Sequence, residues 1–169
     1  PADALDGDLA ALVAATPEDP RSGAIQQLEG DRWMVTLAGI LGDDPPTDPD
    51  GFVDFARSLV FSDIHDAIRD GVPLDDPVAF RFPASVRHRY ERAHRLPAGL
   101  LVMGDAVCSF NPIYGQGMSV AALEALTLRR HLARGIEPQP RRWFRDLARL
   151  VDAPWQMAAG GDLTFPGVQ

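Results

Sequence analysis

The residues with the clearest chemical potential lie between Gly104 and Met118, where an apolar run leads into a helix-like pattern. The pair Gly104-Asp105 directly follows the apolar run at 100–103. The Asp105 carboxylate is therefore expected just beyond the C-terminal end of a strand, which is where doubly wound sheets bind their ligands. Other Gly-Asp pairs in the chain do not follow such an apolar run and are plausible turns. The position directly after the run is therefore what distinguishes Gly104-Asp105.

The second half of the stretch is rich in glycine. Gly115 and Gly117 let the backbone approach a ligand without an intervening Cβ atom. The helix predicted from Gly117 onward offers free N–H groups and the positive end of its dipole. Such a helix start suits an anion or an electron-rich carbonyl group, and the N1 side of a reduced flavin is a group of this kind. Pro112 fixes the approach of the loop.

This order of features resembles the second FAD signature of the para-hydroxybenzoate hydroxylase-like flavoprotein monooxygenases, over roughly residues 80–135. The resemblance implies that Asp105 binds the ribityl chain of FAD and that the loop from Pro112 lies beside the isoalloxazine ring. The cofactor-binding residues it implies are Gly104, Asp105, Pro112, Gly115, Gln116, Gly117 and Met118. The family's usual His after the Gly-Asp-Ala-Ala sequence is replaced by Val107-Cys108. No side chain is assigned a catalytic role.

The resemblance also implies an activity. NAD(P)H would reduce the flavin, and oxygen would then be used to hydroxylate or epoxidise a small organic substrate. Related reductases and halogenases share the signature, so the reaction stays open. The family's Gly-x-Gly-x-x-Gly sequence for the FAD pyrophosphate does not occur here. We therefore expect the C-terminal part of such an enzyme, accompanied by its N-terminal FAD-binding half as another chain or a nicked fragment. The alternative is a non-catalytic binding or interaction module derived from the same fold.

The predicted fold class is α/β, or α+β for the chain taken alone. It comprises the second half of a Rossmann-like FAD-binding domain, part of a mixed-sheet substrate domain and C-terminal helices. The predicted divisions are an N-terminal helix and linker at 1–20, a partial substrate domain at 21–95, a partial FAD-binding domain at 96–136 and a helical segment at 137–169.

Local patterns predict the elements that position these residues. Alternation on either side of Gly30-Asp31 predicts a hairpin with a two-residue type II′ turn and with both faces of its second strand covered. Apolar spacing predicts several helices: 4–15, 50–60 with Asp50 as its cap, 62–70, 117–132, and one from about Arg141 to Pro154. Two runs are predicted as strands, 78–83 and 100–103, of which the second should be a buried parallel strand.

Composition limits the partners and the location. The chain has 16 basic residues, all arginine, against 24 acidic ones, and its formal net charge of −8 disfavours nucleic acid as a partner. The single Cys108 cannot form an internal disulfide, which favours the reducing cytoplasm. No apolar run approaches the roughly 18 residues of a membrane span. The four histidines show no metal-ligand spacing, so neither a membrane nor a metal site is expected.

Overall fold

The computed structural model describes residues 4–133 and 139–169, and the domain boundary predicted at 136–137 lies outside the described residues. The described chain holds four α-helices and two small antiparallel sheets. It therefore has a mixed α/β fold, compatible with the α+β class predicted for the chain taken alone. The chain divides into two compact units, Pro1–Phe80 with Phe165–Gln169, and Arg81–Thr164.

The first unit contains a three-stranded antiparallel sheet in the order β1-β2-β3. Its strands are β1 (Ala10–Val13), β2 (Ser22–Leu28) and β3 (Arg32–Ala38). The predicted hairpin is confirmed, but its connection has three residues, because Leu28 pairs with Arg32. Gly30 and Asp31 both have positive φ, at 74° and 55°. A type II′ turn needs a positive φ only at its first central residue, so the predicted turn type is wrong.

The helix predicted at 4–15 is wrong, because β1 occupies its second half. This strand pairs with β2 from Ala10↔Gln26 to Val13↔Gly23. Its side chains alternate as a strand requires, with Val13 buried and Leu12 68% exposed. The helix propensity of alanine and leucine is a weak preference, and pairing with β2 overrides it.

Two helices, α1 (Pro49–Arg57) and α2 (Asp63–Ile68), pack on one face of this sheet. The cap of α1 is Asp48 rather than the predicted Asp50: its side chain accepts from the N–H of Gly51. Pro49 fits this start because the first helical position needs no N–H donor. The core of the unit lies between sheet and helices and contains Val13, Ile25, Leu37, Phe55, Ala56, Leu59, Ile64 and Ala67.

The other face of β3 is open in the described chain. Met34 is 46% exposed and Thr36 is also exposed. The expectation that both faces of this strand are covered is therefore wrong for these residues. A single helical layer buries only every second side chain of an antiparallel strand.

The second unit contains a two-stranded sheet and two long helices. These elements are β4 (Val86–Arg87), β5 (Cys108–Ser109), α3 (Gly117–Leu132) and α4 (Pro140–Asp162). Its core consists of Val107, Cys108, Phe110, Val120, Trp143, Phe144, Leu147, Val151 and Ala158. No helix among the described residues is long and apolar enough to cross a membrane.

The two strands predicted at 78–83 and 100–103 are absent from both sheets. Residues 78–83 form an exposed, irregular segment, and Pro77 and Pro83 flank or end it. The segment at 100–103 is not a parallel strand in the described chain, since both sheets are antiparallel and neither includes it. A strand is defined by hydrogen bonds to a neighbour, and the described residues place none beside it.

The helix α4 continues through Pro154 to Asp162, so the prediction that Pro154 ends it is wrong. Proline has no backbone N–H, so the Leu150 carbonyl lacks the hydrogen bond that it would accept in a regular α-helix. Val151 and Ala158, on either side of the proline, are nevertheless fully buried. Packing against the core thus holds both halves of the helix in place.

Candidate cofactor-binding site

Helix α4 fixes the apolar segment that leads into the motif. The Trp143 side chain is fully buried, and its indole Nε1 donates to the carbonyl oxygen of Val102 at 3.0 Å. Buried indole N–H groups need an acceptor, so this bond orients ring and segment together. Two residues later Gly104, with a φ of 66°, starts the single 3₁₀ turn Gly104–Ala106.

Asp105 lies in this turn with its side chain exposed. The N–H of Val107 donates to the Gly104 carbonyl at 2.8 Å, which closes the turn. Val107 and Cys108 are buried directly after it. Within the described residues the Asp105 carboxylate makes neither a hydrogen bond nor an ion pair, so it can accept hydrogen bonds from a ligand.

Glu124 is a residue of this site that our sequence reasoning missed. It lies on α3 with no exposed surface, and its Oε2 accepts from the N–H of Gly104 at 2.5 Å. Its other oxygen, Oε1, is buried without a hydrogen-bond partner among the described residues. Burial raises the pKa of Glu124 above its ordinary value, the N–H of Gly104 lowers it, and the nearby charge of Asp105 raises it further.

A sequence signal for Glu124 existed. Val120, Glu124 and Leu128 are spaced by four residues, which places them on one face of a helix. Val120 is buried, and Leu128 packs against the same core. An acidic residue in the middle of an apolar helical stripe predicts a buried carboxyl group with a specific partner.

The glycine loop is built as a sequence of short turns. The Asn111 side chain accepts from the N–H of Ile113 at 3.2 Å and caps the 3₁₀ helix Pro112–Tyr114. Gly115 then takes the left-handed conformation with a φ of 62°, which glycine adopts without strain. Helix α3 begins at Gly117, so the predicted helix start is confirmed.

The carboxylate of Asp162 holds this loop against the end of α4. It accepts from the Asn111 amide at 2.9 Å, the Tyr114 hydroxyl at 3.1 Å and the Ser85 hydroxyl at 3.2 Å. The N–H of Asn111 also donates to the Ser85 oxygen at 3.1 Å. Partial burial, and then the adjacent Asp162, raise the pKa of Tyr114 to about 12, so its hydroxyl remains a donor at neutral pH. The sequence offers no signal for this acceptor, because residues from three distant segments meet there.

Glycine positions in the motif face open space. A Cβ atom added to Gly104, Gly115 or Gly117 would meet no other atom within 4 Å. Met118, the second residue of α3, is 86% exposed. Gln116, just before the helix, has a buried Oε1 with no partner in the described chain. The predicted binding residues thus form two segments, a turn that is hydrogen-bonded to α3 and a loop that leads into α3.

Cys108 lies behind the turn and is not a reactive thiol. It is buried, and burial is the main cause that raises its pKa to about 11. A thiol with such a pKa holds its proton at neutral pH and is a poor nucleophile. Among the described residues no group of three or more His, Cys, Asp or Glu side chains could hold a metal ion.

Comparison with known proteins shows a similarity to a mycobacterial protein. The chain is 31% identical over 163 residues to Protein Rv3254 of Mycobacterium tuberculosis (strain ATCC 25618 / H37Rv). The match covers 91% of this chain and 34% of that protein. This chain therefore spans about a third of the length of the curated relative it matches. The relative's name states no activity. No family model matches the chain.

Proposed function

We propose that this chain is the flavin-facing, C-terminal part of an FAD-dependent oxidoreductase of the para-hydroxybenzoate hydroxylase-like superfamily. The observation that carries the proposal is the connection between the two halves of the motif. The Gly104–Ala106 turn presents an exposed Asp105 carboxylate with no hydrogen bond among the described residues, and the N–H of Gly104 is hydrogen-bonded to the same helix that begins at the glycine loop. One helix therefore positions both parts of the candidate site.

The residues present fit the ribityl and ring portions of FAD. The Asp105 carboxylate is a hydrogen-bond acceptor suited to ribityl hydroxyl groups. The N–H groups of Gly117 and Met118, at the start of a 16-residue helix, are donors suited to the electron-rich edge of the ring. Gly104, Gly115 and Gly117 leave room on the ligand side. FAD supplies the redox chemistry, and this chain binds and orients it.

The reaction proposed is the hydroxylation or epoxidation of a small organic molecule, with NAD(P)H as reductant and oxygen as co-substrate. No side chain of the described site is assigned as an acid, base or nucleophile. The buried Cys108 thiol, with its raised pKa, supports the view that the protein positions the cofactor rather than reacting covalently itself. We also propose a cytoplasmic location, which agrees with a single cysteine that has no disulfide partner.

In this proposal the ADP half of FAD is held by residues outside this chain, on the same or another polypeptide. Two observations support that part. The sequence contains no Gly-x-Gly-x-x-Gly loop, and the relative is about three times as long as the matched region. The extended segment before Gly104, which lies outside both sheets, would then gain a strand neighbour.

The test is a visible absorption spectrum of the longest native polypeptide that contains this chain. We expect flavin absorption that follows the protein through gel filtration and bleaches when NAD(P)H is added under anaerobic conditions. Adding FAD to colourless protein and repeating the filtration controls for cofactor lost in purification. A protein that stays colourless after this step would overturn the proposal and favour the non-catalytic binding module.

A further inference from the structure

We propose that Glu124 is a positioning residue of the candidate site: its carboxyl group holds the Gly104–Ala106 turn, and with it Asp105, in the geometry that the cofactor requires. This inference rests on the proposed function. It adds a residue that the motif does not contain and gives that residue a role separate from folding stability.

The position of Glu124 in the fold links the two segments of the site. It follows Gly117, the first residue of α3, by seven positions, which corresponds to about two turns or roughly 10 Å along the helix axis. Its Oε2 accepts from the N–H of Gly104. This hydrogen bond joins the turn that carries Asp105 to the helix that starts at the glycine loop. The spacing between the two segments is therefore set through Glu124.

Without this hydrogen bond, the Gly104–Ala106 turn would have few contacts that fix its orientation. Gly104 has a left-handed φ and no side chain that could pack against a neighbour. The segment before it lies outside both sheets, and Asp105 after it is exposed and has no hydrogen bond among the described residues. Glycine has more conformational freedom than any other residue. The Trp143 indole fixes the chain at Val102 and the Val107 N–H closes the turn, whereas the N–H of Gly104 itself is held by the Glu124 carboxyl group, which ties the turn to α3.

Burying the Glu124 carboxyl group lowers the stability of the fold. Its side chain is fully buried, and Oε1 lacks a partner in the described chain. The positions one turn before and after it on the same face are Val120 and Leu128, and both contribute to the apolar core. An apolar residue would satisfy packing there without burying a carboxyl group. Residues that lower stability while holding a binding geometry are typical of functional sites.

The groups around Glu124 affect the charge of its carboxyl group. Asp105 is the acidic neighbour on the turn side, and Cys108 of β5 is the titratable group behind it. Burial and Asp105 both favour the protonated form of Glu124. The hydrogen bond from the Gly104 N–H acts in the opposite direction, because it favours the charged form. A carboxyl oxygen accepts from that N–H in either form, so the turn is held in both.

The experiment compares Glu124→Met with Glu124→Gln. Methionine matches the length of glutamate but offers no strong acceptor, whereas glutamine keeps a carbonyl oxygen at the same distance. In this chain, the exchange rate of the Gly104 amide proton and the midpoint of thermal unfolding are measured by NMR and circular dichroism. We expect Glu124→Met to keep or raise the midpoint while Gly104 exchanges about tenfold faster or more. Glu124→Gln should retain the slow exchange.

The second arm measures FAD affinity in the longest native polypeptide. We expect Glu124→Met to weaken FAD binding about tenfold or more, because the turn that carries Asp105 loses its hydrogen bond to α3, and Glu124→Gln to leave it nearly unchanged. In the double variant with Asp105→Ala, Glu124→Met should cause little further loss, because both changes remove the same contact. A merely structural residue would not give this non-additivity or the rescue by glutamine. Glu124→Leu replaces Glu124→Met if the latter does not fold.

Slow Gly104 exchange in Glu124→Met would overturn the proposal, and so would fast exchange in Glu124→Gln. Fully additive losses of FAD affinity would overturn it as well. A different result would distinguish the proposed flavin site from the role of Glu124 in holding the turn. If Gly104 exchange responds as expected but Asp105→Ala leaves FAD affinity unchanged, the proposed flavin site fails, while the role of Glu124 in holding the turn is supported.

Discussion

The exposed Asp105 carboxylate has no hydrogen-bond partner in the described chain, so its removal tests ligand binding without disturbing the fold. We expect Asp105→Ala to weaken FAD binding in the longest native polypeptide by about 1.5–3 kcal/mol, the usual contribution of a hydrogen bond to a charged group. Its free energy of unfolding should change by less than about 0.5 kcal/mol, because a surface side chain without contacts is lost. Isothermal titration and urea unfolding measure the two quantities.

Asp105→Asn is the matched control for charge. It keeps one acceptor oxygen and removes the negative charge, so its FAD affinity should fall between those of wild type and Asp105→Ala. An affinity equal to wild type in both variants would show that Asp105 is only part of a turn.

Glu124 gives the chain a specific dependence of stability on pH. Burial and Asp105 raise its pKa above 4.5, and the Gly104 N–H opposes this shift. The folded chain therefore keeps a proton that the unfolded chain releases, and stability falls as pH rises from about 4.5 through the raised pKa. Glu124→Gln removes this term. We expect its stability relative to wild type to increase across that pH range and then to level off.

Urea unfolding of both proteins at a series of pH values checks this expectation. The two proteins differ only at position 124, so the difference between their profiles isolates the effect of replacing the Glu124 carboxyl group. Parallel pH profiles for the two proteins would contradict a raised Glu124 pKa.

Two adjacent glycines near the end of α4 provide a test of how that helix holds the loop. A Cβ atom at Gly161 would clash with the Tyr114 hydroxyl oxygen, whereas one at Gly160 meets no other atom of the described chain within 4 Å. We expect Gly160→Ala to stabilise the chain by about 0.5–1 kcal/mol through helix propensity. Gly161→Ala should lose this gain and destabilise the chain by about 1–3 kcal/mol, because Tyr114 must leave Asp162.

Thermal unfolding compares the two variants directly, and Tyr114→Phe supplies the control for the displaced hydroxyl. In a Tyr114→Phe background the penalty of Gly161→Ala should shrink, since the nearest clashing atom is gone. Equal stability of the two alanine variants would mean that Tyr114 moves aside without cost.

The elements show which parts of the fold the sequence could predict. The hairpin and the start of α3 at Gly117 follow from local patterns, alternation and glycine placement, and both are confirmed. The strand β1 was missed because its pairing with β2 is a contact between segments, which local propensity does not contain. Pro154 predicts a helix end, but burial on both sides of it sustains α4.

The same distinction applies to the candidate site. The turn and the glycine loop could be named from the sequence because each is one continuous stretch. The contacts that hold them, from Glu124 to Gly104 and from Asp162 to Asn111, join residues 20 and 51 positions apart. Such contacts depend on how helices pack, and a single sequence carries only the indirect signal of a charged residue at a core position.

For the whole molecule, the FAD-binding residues proposed to lie outside this chain lead to a prediction about apolar side chains on α3, which we expect them to cover. Large apolar residues are exposed there in the described chain: Met118, Leu123, Leu126 and Leu132. We expect Leu123→Glu to change the thermal midpoint of this chain by little, because the side chain is 50% exposed. In the longest native polypeptide it should lower the midpoint clearly, because a covered position would then bury a charge.

Each form of the protein serves as the control for the other, because the substitution is the same in both. A midpoint that changes equally in the two forms would show that this face of α3 stays open to solvent. The proposed covering by residues outside this chain would then be wrong.

The proline within α4 gives one helix two different resistances to opening. The Leu150 carbonyl lacks its usual donor, and beyond the proline lie two consecutive glycines and the terminal Asp162. The last turn, beyond the buried Ala158, can therefore fray while Trp143 and its neighbours stay packed. Asp162 leaves with it, and the Asn111–Tyr114 loop loses its acceptor. On warming, the loop should melt before the core does, so a bound flavin would be released from a protein that is still folded.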